Sequence, residues 1–335
     1  MTQRTRGASA TSSRRSSKKA AGGSRRTGTT AEPPSTAQTR PSQTVRAAAT
    51  QMRGTLMTTV LGHRVRVLDV GPRQTDALFI VNGSSANLEV LAPLVDILSR
   101  TRRVVSFDQP GMGKSPSTYP TLCVPTLAAM CERLATDLGL RQLDLLGYSF
   151  GGTVAEQLAL TRPRLVRRLV LVAAVYGAGG IPSDPISSLT VLAHQTPIRP
   201  WARTLARHAY GGVVARDDDA LTAYEEAINQ AGPDPLSLLG QAIAVSTWSG
   251  LPWLWALRCP TLVIAGTDDS VVPLHSFKFA AALQHAQAGD APILLRVETS
   301  AGHGAGKSLQ MVAAEWADLL AFAAHHTGLE VPATP

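Results

Sequence analysis

The sequence predicts a doubly wound α/β fold: a mostly parallel sheet with helices on both faces and a helical cap inserted near its carboxyl edge. Three observations predict it. Apolar runs of four to six residues alternate with helical periodicity from Met57 onward. Several runs are continuous in hydrophobicity, as strands buried on both faces require. One long stretch rich in Gly and Pro interrupts the alternation.

The strand candidates are 58–61, 65–70, 77–81, 103–107, 143–146, 169–173, 261–265 and 293–297. No helix separates the first two, so they form an antiparallel lead-in pair. Helical patterns follow at 88–98, 124–138, 154–160, 276–285 and 309–325. Right-handed crossovers then wind the later strands into one parallel sheet. Residues 176–257 are the interruption, with Gly–Pro turns and short amphipathic helices at 221–228 and 236–244. An insert at the carboxyl edge sits over the usual ligand crevice, so it reads as the cap. Trp201, Trp248, Trp253 and Trp255 fall in it and suggest an apolar pocket.

Charge divides the 335-residue chain in two. Residues 1–50 hold ten basic residues against the single acid Glu32. Residues 51–335 carry 22 basic and 23 acidic residues, so the body is neutral despite a total of +8. A basic nucleic-acid groove in the folded domain has little support. Residues 1–50 are Ser, Thr, Ala, Gly, Arg and Pro with almost no large apolar side chain, a composition that stays disordered. Four readings stand for this tail: a solvated leader, an electrostatic tether to an anionic surface, an over-extended start before Met52 or Met57, and an organellar transit peptide. Three cysteines (Cys123, Cys131, Cys259) show no metal spacing and no disulfide framework, which suggests a reducing, cytoplasmic compartment. No apolar run is long enough to span a membrane or serve as a secretory signal.

The strongest chemical signal is Gly147-Tyr148-Ser149-Phe150-Gly151, a G-x-S-x-G between an apolar strand and a helix. That turn exposes a serine hydroxyl at the sheet edge and aims a helix N-terminus at a developing oxyanion. A nucleophilic serine needs a base, and the base needs an orienting acid. In this fold class both follow in chain order. The strand 261–265 leads into Asp268-Asp269, of which Asp269 has the better spacing before Val271-Val272-Pro273. Asp268 then serves as a turn former or helper. The last strand leads to His303 through Thr299-Ser300-Ala301-Gly302. Other histidines fall in the cap, in helices or in the lead-in turn. The loop after the third strand, Asn82-Gly83-Ser84-Ser85-Ala86-Asn87, supplies the second oxyanion donor, so the backbone N–H groups of Ser84 and Phe150 form the pair. The stretch from Asp108 to Ser115 contains Gly-x-Gly-Lys-Ser, but the first glycine of a phosphate loop would fall on Asp108. It reads as an ordered loop beside the site.

These residues resemble the α/β-hydrolase fold over about residues 56–330. Residues 78–273 look like intracellular poly(3-hydroxyalkanoate) depolymerases. The resemblance rests on Asn82-Gly83 with Ala86-Asn87-Leu88-Glu89, Phe107-Asp108 with Pro110-Gly111, the serine turn, Tyr210-Gly211-Gly212, and Pro260-Thr261-Leu262-Val263 with Ala265-Gly266. Phe150 stands where that family has Trp. The stretches 268–279 and 298–307 are similar to the C-terminal end of prolyl oligopeptidases. There Ser270 replaces the substrate-holding Arg of the peptidases, Phe150 replaces their Asn, and a β-propeller gate has no room in the chain. Both resemblances imply Asp269 and His303 as acid and base.

The expectation is a serine hydrolase that cleaves carboxylic esters through an acyl-enzyme, with no metal or organic cofactor. The resemblance implies a small-molecule or hydroxyalkanoate polyester substrate, and a granule as a candidate surface for the tail. A prolyl peptidase, a haloperoxidase- or lactonase-type member and a non-catalytic granule- or partner-binding protein are the alternatives.

Overall fold

The computed structural model describes residues 54–174, 217–266, 273–298, 317–318 and 321–322. All eight expected strands form: β1 Thr55–Val60, β2 His63–Val70, β3 Ala77–Val81, β4 Val104–Phe107, β5 Leu143–Tyr148, β6 Val166–Val172, β7 Thr261–Gly266 and β8 Ile293–Glu298. Their order in the sheet is β1-β2-β4-β3-β5-β6-β7-β8. β1 and β2 pair antiparallel as a hairpin, and β2 pairs antiparallel with β4. Every pairing from β4 onward is parallel.

Helices connect these strands. Among the described residues they are α1 Ala92–Leu98, α2 Val124–Asp137, α3 Phe150–Thr161, α4 Asp218–Asn229, α5 Pro235–Thr247 and α6 Pro273–Ala286. Short 3-10 turns occupy Leu88–Leu91 and Leu251–Ala256. The expected helix 88–98 is thus split, because Pro93 enters at the second position of α1 and starts a new helix there. Residues 317–318 and 321–322 are helical, within the expected last helix.

The pleat explains why continuous apolar runs marked the strands. Every residue of β3 is buried. Phe79 and Val81 join one core with α2, α3 and α6, through side chains such as Leu127, Leu158 and Phe279. Leu78 and Ile80 join a second core with Leu88, Val95 and Leu98, and Phe322 packs there too. Two cores, one on each face, require both pleat faces to be apolar.

Charged side chains tie the loops together. Arg66 donates to Glu89 at 2.8 Å and to Asp108 at 3.2 Å, all three buried. The Asp108 carboxylate also accepts the Leu88 and Lys114 amides, 2.8 and 2.9 Å away. Burial still pushes its pKa up. The loop from Asp108 to Ser115 thus folds its Lys114 amide back onto Asp108 and bonds its Met112 and Ser115 amides to its own carbonyls, as an ordered turn does. At the opposite sheet edge Asp144 accepts from Arg102, Arg167 and Arg168. Burial would raise this carboxyl, but the hydrogen bonds from Arg167 and Arg102 outweigh it and hold it below the usual carboxylate range.

All three cysteines are free thiols; burial pushes Cys259 up to about 12 and leaves it unreactive. Among the described residues, no helix is long and apolar enough to cross a membrane.

Candidate functional site

β5 ends at Tyr148 and α3 begins at Phe150, so Ser149 alone makes the turn between them. Its backbone sits at φ 51° and ψ −120°. A side-chain-bearing residue avoids that region, and one is found there only when its surroundings enforce it. Here the Ser149 N–H donates to Val172 carbonyl at 2.9 Å, and its own carbonyl accepts from Gly152 N–H at 2.8 Å. The turn is anchored to β6 on one side and to the first turn of α3 on the other. Ser149 stays partly exposed at the carboxyl edge, while Phe150 is buried.

The glycine after Phe150 allows this packing. A Cβ at Gly151 would lie 2.1 Å from Val81 carbonyl oxygen and 2.4 Å from that of Asn82. Only a bare Cα lets the N-terminus of α3 rest on the end of β3. The contact brings the loop after β3 beside Ser149: a Cβ at Gly83 would lie 3.2 Å from Ser149 Cβ.

That loop is fixed by Asn82. Its side chain accepts from Gly83 N–H at 3.0 Å and donates to Asn87 carbonyl at 2.8 Å. Asn87 in turn caps the 3-10 turn at Val90 and donates to carbonyls at the end of α4. Asn82 is a buried turn former. With the Gly83 amide consumed, the next amide toward the site is that of Ser84. Among the described residues no acceptor takes the Ser84 N–H. The Phe150 N–H, as the first of α3, has no carbonyl one turn earlier to bond. The two N–H groups named as donors thus belong to two segments packed against each other.

Asp269 and His303 lie outside the described residues, as does Asp268. β7 ends at Gly266 and β8 at Glu298, on the same sheet edge as Ser149. Of the alternative histidines, His63 pairs with Val60 in the lead-in hairpin, three strands from β5. His285 closes α6, which runs back toward the amino edge before β8.

The three described tryptophans of the insertion do not line a pocket beside Ser149. Trp248 donates to Gln157 at 2.6 Å, two turns down α3 from Ser149. Trp253 and Trp255 are more than half exposed, in the turn that leads to the amino end of β7. Trp201 lies outside the described residues.

Sequence reasoning missed two glutamines. Gln109, after β4, and Gln241, on α5, are both buried and hydrogen-bonded to each other at 2.9 Å. Gln241 also meets Ser84 Oγ at 2.9 Å, and Gln109 meets Asn82 carbonyl at 2.8 Å. A lone glutamine carries no pattern, so only the fold reveals the pair.

A family profile described as alpha/beta hydrolase fold matches residues 76–305. A poly(3-hydroxyalkanoate) depolymerase of Ectopseudomonas oleovorans is 31% identical over 205 residues, 61% of this chain and 72% of that protein. A prolyl endopeptidase of Elizabethkingia meningoseptica is 55% identical over 71 residues, 21% of this chain but 10% of the peptidase. The crystal structure of the enol-lactonase from Burkholderia xenovorans LB400 superposes with a TM-score of 0.66 over 80% of this chain and 99% of that one, at 19% identity. That likeness is one of fold. The sheet order, the strand–serine–helix turn and the profile agree: the chain belongs to the alpha/beta hydrolase fold family.

Proposed function

We propose that this hydrolase cleaves carboxylic esters through an acyl-enzyme formed on Ser149. The observation that carries the reading is the enforced backbone of Ser149 at φ 51°, on a turn that packs against the Gly83–Ser84 loop. Ser149 Oγ attacks the ester carbonyl. His303 takes the hydroxyl proton and returns it to the leaving alcohol, and water then releases the acyl group by the same path. Asp269 orients the imidazole and stabilises its charged form. The amides of Ser84 and Phe150 hold the oxyanion, with each donor worth roughly 2.7–4 kcal/mol in comparable sites.

Chain reach is consistent with this assignment. β5 and β8 are three strands apart, about 14 Å at the usual strand spacing. The five residues from Glu298 to His303 can span up to about 17 Å. Asp269 follows β7, between them, by three residues.

The substrate class follows the depolymerase likeness: a hydroxyalkanoate polyester or its oligomers. Leu236, Leu239 and Ile243 form an exposed apolar stripe on α5, suited to an aliphatic polymer. Residues 176–257 would be the cap over the site, and the basic tail 1–50 a tether to a granule surface in the cytoplasm. The 55% identity to a peptidase segment favours one second reading, cleavage of small prolyl peptides.

The test is hydrolysis of p-nitrophenyl esters of rising chain length, polyhydroxyalkanoate emulsion and a prolyl amide, with Ser149→Ala as control. Ester turnover that vanishes in the variant is expected. Undiminished turnover in Ser149→Ala would sink the mechanism, and faster cleavage of the prolyl amide than of any ester would sink the substrate class.

A further inference from the structure

We propose that Gln241 of α5 is a positioning residue that sets the Ser84 amide for the oxyanion, acting through Ser84 Oγ and Gln109. The proposal rests on the serine-esterase reading above.

Four polar groups form one chain: Ser84 Oγ, Gln241, Gln109 and Asn82 carbonyl, with links of 2.9, 2.9 and 2.8 Å. Its polarity has one solution. A backbone carbonyl can only accept, so Gln109 must present Nε2 to Asn82. Gln109 Oε1 then faces Gln241 and needs a donor, which is Gln241 Nε2. Gln241 Oε1 is left facing Ser84, so the Ser84 hydroxyl must donate. Flipping either amide would set two acceptors or two donors against each other.

The consequence is mechanical. The chain grips the loop after β3 at both ends of its critical segment. At one end Gln109 fixes the Asn82 carbonyl, and with it the plane of the Asn82–Gly83 peptide. At the other end Gln241 fixes the Ser84 side chain. Between them lie the Gly83–Ser84 peptide and the Ser84 N–H. Both glutamines are buried, with exposures of 3% and 6%, so bulk water competes little for these bonds. α5 is itself held on the loop after β4, where Asp234 at its N-cap donates its N–H to Gly111 carbonyl at 2.8 Å. The insertion between β6 and β7 thus reaches the oxyanion loop by hydrogen bonds, without contributing an atom to the reaction.

An oxyanion donor acts on the transition state more than on bound ester, so its displacement lowers kcat and leaves KM nearly unchanged. The experiment measures kcat and KM for p-nitrophenyl butyrate, and Kd for an alkyl boronic acid, a tetrahedral-oxyanion mimic. The proteins are the full-length chain, Gln241→Ala, Ser84→Ala and the double variant. Ser84→Ala keeps the backbone N–H and removes only the hydroxyl link, a change small enough to spare the fold. Losing one donor outright costs about 100- to 1,000-fold in kcat, so a misplaced one should cost about tenfold or more. Each single variant should show that loss, with KM within about twofold and boronate Kd raised by the same factor as kcat falls. The double variant should be no worse than the poorer single.

Unchanged kcat in Ser84→Ala would overturn the relay, and so would multiplied losses in the double variant. A raised KM at constant kcat in Gln241→Ala would make Gln241 a substrate-binding residue instead. An inactive Ser149→Ala beside fully active relay variants would overturn the relay alone. A fully active Ser149→Ala would overturn the nucleophile and the relay with it.

Discussion

Replacing Glu156 with glutamine should flatten the dependence of stability on pH between about pH 5 and 8. Glu156 lies on α3, 1% exposed, and among the described residues neither carboxyl oxygen has a hydrogen-bond partner. It points at Gly250, where a Cβ would come within 1.8 Å of Oε1. An ionised carboxylate buried without a partner is expensive, and the group keeps its proton instead. Burial pushes its pKa from 4.5 up to about 8.

The unfolded chain loses that proton as pH rises through about 4.5, while the folded chain holds it until about pH 8. Between those values the unfolded state binds fewer protons, so raising the pH favours unfolding. At about 1.4 kcal/mol per tenfold change in acidity, the whole interval is worth about 5 kcal/mol, and the part up to pH 7 about 3 kcal/mol. That is a large share of an ordinary domain stability. The assay is urea denaturation followed by tryptophan fluorescence at intervals from pH 5 to 9, for the natural chain and Glu156→Gln. Other titrations are common to both proteins and cancel in the difference. Glutamine leaves its own amide unpaired, so the variant should be no more stable at pH 5. It should gain several kcal/mol on the natural chain by pH 9. Stability curves that stay parallel within about 0.5 kcal/mol across the range would refute a buried, protonated Glu156.

Further outcomes follow from the packing. Gly151→Ala should unfold the turn or cost several kcal/mol, because its Cβ would sit 2.1 Å from Val81 carbonyl oxygen, a backbone atom with no room to yield; a melting temperature within a few degrees of the parent refutes it. Asp144→Asn should destabilise by about 3 kcal/mol or more at pH 7, since it strips the partner from largely buried arginines, and the loss should shrink as pH falls below about 4, where the unfolded chain takes up a proton that the folded carboxyl, held below its usual range, still refuses. Denaturation at pH 3 and pH 7 checks both. Deleting residues 1–50 should leave kcat/KM on a small soluble ester within about twofold, because the body carries its own core; a large loss would make the tail part of the enzyme.

The strands were readable because a parallel sheet demands apolar residues on both pleat faces, and that demand leaves unbroken runs such as Ala77–Val81. The sharp turn at Ser149 was readable for a different reason. Its strained backbone needs small neighbours on both sides, and glycines at fixed offsets are a pattern in the chain itself. The three described tryptophans misled because aromatic content carries no direction. Trp248 anchors the insertion far down α3, and Trp253 and Trp255 face solvent at the other end of β7. Glu156 gave no warning either, since a glutamate in a helical pattern reads as a solvated face until Gly250 is found opposite it.

Gln109 and Gln241 mark the deeper limit. They are 132 positions apart, joined only because α5 lies across the loops after β3 and β4. A side-chain amide is both donor and acceptor, so its role is set by its partners and not by its type. The Asn82 carbonyl fixes the polarity of the chain, and that carbonyl is a backbone atom present at every position of any sequence. What a motif can specify is a backbone shape, as in the turn at Ser149. What orients the neighbouring amide is a closed set of hydrogen bonds between distant segments, and closure exists only in three dimensions. Residues that tune catalysis from the insertion should therefore be sought in this fold by following hydrogen bonds outward from the Ser84 loop, rather than by reading the insertion for patterns of its own.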